Sequence, residues 1–131
     1  NFSHKDLINS VDRLIKEGIE EGVSNFLAVN SNLYEFDTDF NLIQNFDCVD
    51  LTIGHHPCLC NEVDDDNFRK IFDDKISKNR KKIKVIGETG LDFSYDVSTI
   101  NQIKSLKLHI EFAIKYELPI LLHIREEEMV V

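Results

Sequence analysis

Three short stretches of this sequence place imidazole or carboxylate groups directly after apolar runs. His55-His56-Pro57 follows Val49-Asp50-Leu51-Thr52-Ile53-Gly54. Glu88-Thr89-Gly90-Leu91-Asp92 follows Ile83-Lys84-Val85-Ile86-Gly87. His123-Ile124-Arg125 follows Pro119-Ile120-Leu121-Leu122. Neutral imidazole and carboxylate are the ligand types of divalent metal centres, and a carboxylate can bridge two ions. Two bridged ions stabilise both the attacking and the leaving oxygen of a phosphodiester, provided a cationic side chain also meets the phosphate. Arg125, two residues beyond His123, falls on the same side of a strand as His123 if the strand runs that far. Each residue also has a plainer role open to it. A histidine at a strand end is often a hydrogen-bonded packing residue, Glu88 could cap a helix or face solvent, and Asp92 could merely cap a turn. His55 and His56 are adjacent, so only one of them can face a common site.

For these residues to meet, the chain must bring the ends of separate strands together, and its pattern predicts that it does. Ser3 to about Glu17 has helical spacing (Leu7, Val11, Leu14, Ile15), with Ser3 as a possible cap and Gly18 or Gly22 as a stop. Val23–Val29 has the pattern of a buried strand, and Leu33–Phe46 of a helix with Phe36, Phe40 and Ile43 on one stripe. Val49–Gly54 is a second strand. Glu62 to about Asn79 is a helix with Phe68, Ile71, Phe72 and Ile76 inward. Ile83–Gly87 is a third strand. Thr99–Tyr116 is a helix whose apolar face takes in Ile103, Leu106, Leu108, Ile110, Phe112, Ala113 and Ile114, and a fourth strand starts at Pro119. Strands alternating with helices imply parallel strands joined by crossovers, in a barrel or a doubly wound sheet. In either architecture ligands bind at the carboxyl ends of the strands, which is where the three stretches fall, together with Asn30-Ser31-Asn32 after the first strand. His4 and His109 are expected at the surface. Asp64-Asp65-Asp66 is expected as a solvated helix start, and the basic run Lys78, Arg80, Lys81, Lys82 and Lys84 as a solvated helix end.

Bulk properties narrow the function classes. With 131 residues and a formal net charge of −9, the chain is one domain's worth of sequence, residues 1–131, and has no broad basic face for nucleic acid or anionic membrane. A nuclease that reaches phosphate through bound cations is not excluded. The three cysteines, Cys48, Cys58 and Cys60, are too few and too oddly numbered for a disulfide framework, and Cys58-Leu59-Cys60 lacks the spacing of a zinc ribbon. No apolar run approaches a membrane span and no signal-peptide pattern opens the sequence, so a cytoplasmic setting is expected.

The segment Gly87-Glu88-Thr89-Gly90-Leu91-Asp92 resembles the GE-x-GLD signature of the TatD family of metal-dependent deoxyribonucleases. Ile53-Gly54-His55-His56-Pro57 resembles that family's G-x-HP-H segment, and Leu118-Pro119-Ile120-Leu121-Leu122-His123-Ile124-Arg125 its LP-hydrophobic-H-x-R segment, in the same order. The resemblance spans nearly the whole chain. It implies an α/β fold, a partial TIM-type (β/α)₈ barrel of parallel strands alternating with helices. It implies Glu88 and His123 as catalytic residues and metal ligands, His56 and Arg125 as substrate-binding residues, and divalent metal ions, two of Mg, Mn or Zn, as cofactors. It implies DNA or another phosphodiester as substrate, with no membrane and no stable protein partner. Cys58 replaces the second histidine of HP-H, and Glu126 stands where an aspartate is usual. In family terms the sequence holds strands two to five of eight, so the chain is expected to be truncated at both ends and inactive by itself. A non-catalytic half-barrel acting through association, or a metallohydrolase for an amide or lactone, is the alternative.

Overall fold

The computed structural model describes residues 1–63 and 65–126. Four strands alternate with four helices: α1 (Val11–Glu20), β1 (Phe26–Ala28), α2 (Phe36–Ile43), β2 (Val49–Ile53), α3 (Asp65–Lys78), β3 (Ile83–Asp92), α4 (Thr99–Tyr116) and β4 (Ile120–Arg125). All strand pairs are parallel, and the sheet order follows the chain, β1-β2-β3-β4. This is half of a (β/α)₈ barrel, with the helices outside. Short 3-10 helices at Leu33–Glu35 and Pro57–Glu62 lie at the carboxyl ends of β1 and β2.

The core lies between the sheet and the helices. Ile15, Leu33, Phe36, Ile43, Leu51, Ile53, Phe68, Phe72, Ile76, Ile83 and Ile86 are fully buried or nearly so. Burial of this apolar set is the main stabilising term. Phe72 stacks on Phe112 with centroids 4.9 Å apart, which locks α3 to α4.

Several elements differ from what the pattern predicts. The first helix begins at Val11, not Ser3, because Asn1 and His4 divert the preceding backbone. The Asn1 Oδ1 accepts from the backbone N–H and hydroxyl of Ser3, at 2.9 and 2.6 Å, and the residues before Val11 form turns. The helix runs to Glu20, and of the two glycines that could stop it Gly22 (φ 95°) does so, with Val23 N–H bonded back to Gly18 O at 2.9 Å. The third strand runs five residues further than expected, through Asp92. The side of α4 that packs inward carries Gln102, Ser105, Leu108, His109 and Phe112, while Ile103, Ile110 and Ile114 are exposed. His109 is therefore not a surface residue; it is completely buried. His4 is exposed as expected. Of the acidic triplet, Asp64 lies outside the described residues. In the basic run, Lys82 departs from the solvated picture: its ammonium caps the carbonyls of Phe46 and Val49, the latter at 2.7 Å.

His109 is held neutral by burial, with both ring nitrogens hydrogen-bonded. Its Nδ1 donates to the Ser105 carbonyl at 2.7 Å and its Nε2 accepts the backbone N–H of His55 at 3.0 Å. Burial drives its pKa from 6.5 down to about 4, against a smaller opposing effect of the Ser105 bond. Between these values the unfolded chain holds a proton that the folded chain does not, so the stabilisation is full above about 6.5 and is lost as pH falls toward 4. Urea midpoints are thus expected to fall between pH 7 and pH 4.5, and to fall less steeply in His109→Gln.

Candidate metal centre at the carboxyl ends of the strands

The site is built where β2, β3 and β4 end. In β3 the register against β4 shifts between Ile86 and Thr89: Ile86 pairs with Ile120 and Thr89 with Leu122, so Gly87 and Glu88 together face the single residue Leu121. This is a β-bulge, and it aims Glu88. Past the bulge Gly90 pairs with His123 and Asp92 with Arg125. Paired residues point to the same face, so His123 sits over Gly90 with Glu88 on one side and Asp92 on the other. Only glycine fits at the two pivots. Gly87 (φ 135°) and Gly90 (φ 151°) adopt backbone that L side chains avoid, and a Cβ at Gly90 would overlap the backbone of His123. A Cβ at Gly54 would likewise strike the backbone of Gly87.

His123 bridges two carboxylates. Its Nδ1 lies 3.2 Å from Glu88 Oε1 and its Nε2 lies 2.7 Å from Asp92 Oδ2. Asp92 is 1% exposed, while Glu88 and His123 are about a quarter exposed, at 27% and 26%. Burial pushes the Asp92 carboxyl up. The hydrogen bonds from the Ser94 hydroxyl, His123 and the Ser94 backbone outweigh it and hold the pKa at about 2. Asp92 does cap a turn, at Ser94 (N–H at 3.0 Å), but it also meets His123.

The two adjacent histidines separate cleanly. His55 is buried, its ring edge-on to Phe68 at 5.3 Å; its Nδ1 accepts from Leu33 N–H and its Nε2 donates to Leu59 O. His56 faces the site, with its ring centroid 4.4 Å from that of His123. Its Nδ1 caps the following 3-10 helix by accepting the Cys58 N–H at 3.2 Å, and the Cys58 thiol lies 3.0 Å from the same nitrogen. In the neutral ring Nε2 therefore carries the hydrogen. Burial, then the nearness of His123, lowers the His56 pKa, which favours that neutral form. Burial, then Asp92, raises the Cys58 pKa and keeps the thiol protonated.

The loops of this rim are laced by Asn30. Its backbone N–H donates to Thr52 Oγ1 and its Nδ2 to Asp39 Oδ2 at 2.7 Å. Its Oδ1 accepts from Gly54 N–H at 3.1 Å, and its carbonyl accepts from Glu88 N–H at 3.3 Å. Gln102 of α4 clamps Asp92 from behind, accepting from its N–H at 2.8 Å and donating to its carbonyl at 3.0 Å.

Of the residues singled out in the sequence, the structure thus brings Glu88, His123 and His56 together and places Arg125 two residues along β4 on the same face, exposed. Asp92, for which the sequence leaves both a site role and a turn cap open, meets His123 as well. Its signal was the spacing of four from Glu88, which in an extended strand puts both on one face. The potential ligand atoms of His56, Asp92 and His123 lie within 4.8 Å of one another. Imidazole nitrogens and carboxylate oxygens converging in a partly open position fit a divalent first-row cation or Mg.

The chain is thus a parallel α/β half-barrel with a histidine–carboxylate cluster at the carboxyl ends of its strands. The chain belongs to the TatD related DNase family, whose model matches residues 1–131. It is 26% identical over 129 residues to a protein of Citrobacter koseri named 3'-5' ssDNA/RNA exonuclease TatD, covering 96% of this chain and 48% of that one. It is 31% identical over 117 residues to a metal-dependent hydrolase of Mycoplasma genitalium, covering 82% of this chain and 45% of that one. The Deoxyribonuclease Tat-D of Schizosaccharomyces pombe is 26% identical over 127 residues, covering 89% of this chain and 40% of that one. The crystal structure of a TatD homologue from Escherichia coli superposes with a TM-score of 0.81 at 19% identity, over 95% of this chain and 48% of that one, which shows the fold. The chain spans about half the length of the curated relatives it matches.

The glycine pivots carry a stability prediction. Gly90→Ala is expected to lose about 1–3 kcal/mol to backbone strain alone, and more from the overlap with His123. Chemical denaturation of the variant beside the parent checks this.

Proposed function

We propose that this chain carries part of the catalytic centre of a metal-dependent phosphodiesterase acting on nucleic acid. The observation that carries the reading is the His123 ring set between two carboxylates, with a second imidazole 4.4 Å away, on one rim of the half-barrel. Glu88 and His123 would hold the cation or cations, two ions of Mg, Mn or Zn in this reading. When bound, a divalent cation polarises a phosphoryl oxygen and makes water a better nucleophile near neutral pH. His56 would turn its Nε2–H toward a non-bridging phosphate oxygen, a role that needs the Nδ1 cap at Cys58. Arg125 would offer its guanidinium to the same phosphate, where a planar fork binds two oxygens at once.

Two exposed aromatics support a nucleic-acid substrate over an amide or lactone. Phe93 and Tyr95 follow β3 directly and are 39% and 47% exposed, and Tyr95 lies edge-on to His56 at 6.1 Å. Exposed rings beside a phosphate site are platforms for unpaired bases. The names of the relatives, among them an ssDNA/RNA exonuclease, support the same substrate class. Among the described residues no helix is long and apolar enough to cross a membrane. The free thiols of Cys48, Cys58 and Cys60 support a reducing, cytoplasmic setting. The single hydrophobic cluster running from Val11 to Phe112 supports residues 1–131 as one domain, half of a barrel.

Where residues 1–131 stand within a complete barrel, cleavage of a labelled single-stranded oligonucleotide should disappear on chelation and return with Mg or Mn. Glu88→Ala should lower it by roughly 10³-fold or more, as expected for loss of a group that holds the reacting centre. Arg125→Ala should raise KM more than it lowers kcat. Undiminished cleavage by Glu88→Ala would overturn the proposal.

A further inference from the structure

We propose that Asp92 is a positioning residue: it fixes which nitrogen of His123 carries the hydrogen, and so presents Nδ1, beside Glu88, as the nitrogen that meets the cation. This deepens the metallohydrolase reading and rests on it.

The argument is one of donors and acceptors. Asp92 Oδ1 already accepts two hydrogen bonds, from Ser94 N–H at 3.0 Å and from the Ser94 hydroxyl at 2.5 Å. Its Oδ2 faces His123 Nε2 at 2.7 Å, the length of a charge-assisted bond. An ionised carboxylate has no hydrogen to give, so the ring supplies it, and a neutral ring has only one. In the neutral ring the hydrogen is therefore on Nε2, and Nδ1 is a bare lone pair. That lone pair lies 3.2 Å from Glu88 Oε1, which is also an acceptor. Two acceptors held face to face at this distance are satisfied by a cation between or beside them. A histidine that donates one ring N–H to a carboxylate while its other nitrogen binds metal is a recurrent second layer of metal sites.

The two carboxylates are not interchangeable. Asp92 is 1% exposed, with hydrogen bonds to both of its oxygens and its backbone gripped on both sides by the buried Gln102. Such a group is fixed and saturated, which suits it to orient a ring and not to join a coordination shell. Glu88 sits on the bulge, is 27% exposed and meets His123 through Oε1. It has the reach and the open oxygen that a ligand needs. The nearness of Asp92 to the ligand atoms of His56 and His123 is then a consequence of its hold on His123.

Asp92→Asn tests this, because the variant is isosteric and reverses one hydrogen bond. The two Ser94 donors keep the amide oxygen on their side, which turns the amide NH₂ toward His123 Nε2. Donor would meet donor unless the ring moves its hydrogen to Nδ1. Long-range ¹⁵N–¹H correlation spectra of the metal-free full chain, at pH about 8.5, some two units above the ordinary histidine value, read the tautomer directly. The parent should show Nε2–H at His123 and Asp92→Asn should show Nδ1–H. Titration with Mn²⁺ and Zn²⁺ should then give about 10–100-fold weaker binding in the variant, with a circular dichroism spectrum like the parent's. An Nδ1–H or doubly protonated ring in the parent overturns the proposal and needs no variant that folds. Parent-like tautomer or metal affinity in a folded Asp92→Asn overturns it as well. If the parent shows Nε2–H but binds neither metal, the metallohydrolase reading fails, and the assignment of Nδ1 to a cation goes with it.

Discussion

The structure depends on how closely the backbone of β3 passes its neighbours. At Gly54 and Gly87 the ends of β2 and β3 approach too near for any Cβ, and at Gly87 and Gly90 the same is true of β3 against β4. The bulge at Gly87-Glu88 follows from that approach, since the extra residue must be absorbed where the strands touch. Everything at the rim inherits its position from this seam. Glu88 leaves it at the bulge, Gly90 makes room for the His123 backbone, and Asp92 ends the strand on the far side of the imidazole. No side chain chooses its place independently; a displacement of one strand by a fraction of an ångström would move all three.

The alternation of strands and helices was legible in the sequence because short β-branched and apolar stretches alternate with longer ones of helical spacing, and the structure bears this out with α4 capped by Ser98 and closed by a left-handed Glu117. The far end of β3 was not legible in the same way. Glu88-Thr89-Gly90-Leu91-Asp92 has the composition of a turn, and only tertiary contact with β4 explains why glycine with positive φ continues a strand there. Periodicity also misjudged α4. It assumes that apolar residues face inward, yet the buried stripe of this helix includes Gln102, Ser105 and His109, leaving Ile103, Ile110 and Ile114 outside. The residues that a pattern reads as surface are here the ones that brace the site. The site residues themselves were visible as residue types after strands, whereas the choice of His56 over His55 needed the resemblance and the position of Asp92 needed the bulge.

Buried polar groups do the bracing because direction matters more than area at a rim. An apolar residue in place of Asn30 would fill space but hold nothing in register. Asn30 as it stands ties β1 to Thr52, Gly54, Asp39 and the backbone of Glu88. Gln102 does the same for Asp92 across the α4–β3 interface. Such networks are costly when one member is missing, since each lost partner leaves a desolvated group behind. The rim is therefore braced from behind where it orients imidazoles, while Glu88, His123, Arg125 and the aromatic residues beyond β3 reach solvent.

The adjacent histidines after β2 carry a further consequence. His55 turns into the helical layer and His56 turns out to the site, and each is neutral and hydrogen-bonded at Nδ1 by a backbone N–H. A slip of this strand end by one position would put His55 at the rim with Gly54 turned inward, or His56 inward with Pro57 at the rim, so one of the two layers would lose its imidazole. In the first case a residue with a Cβ would also fall where only Gly54 fits against Gly87, and in either case Pro57 would no longer open the 3-10 helix. The pair, with the glycine ahead of it and the proline behind it, thus admits one threading that fills both layers.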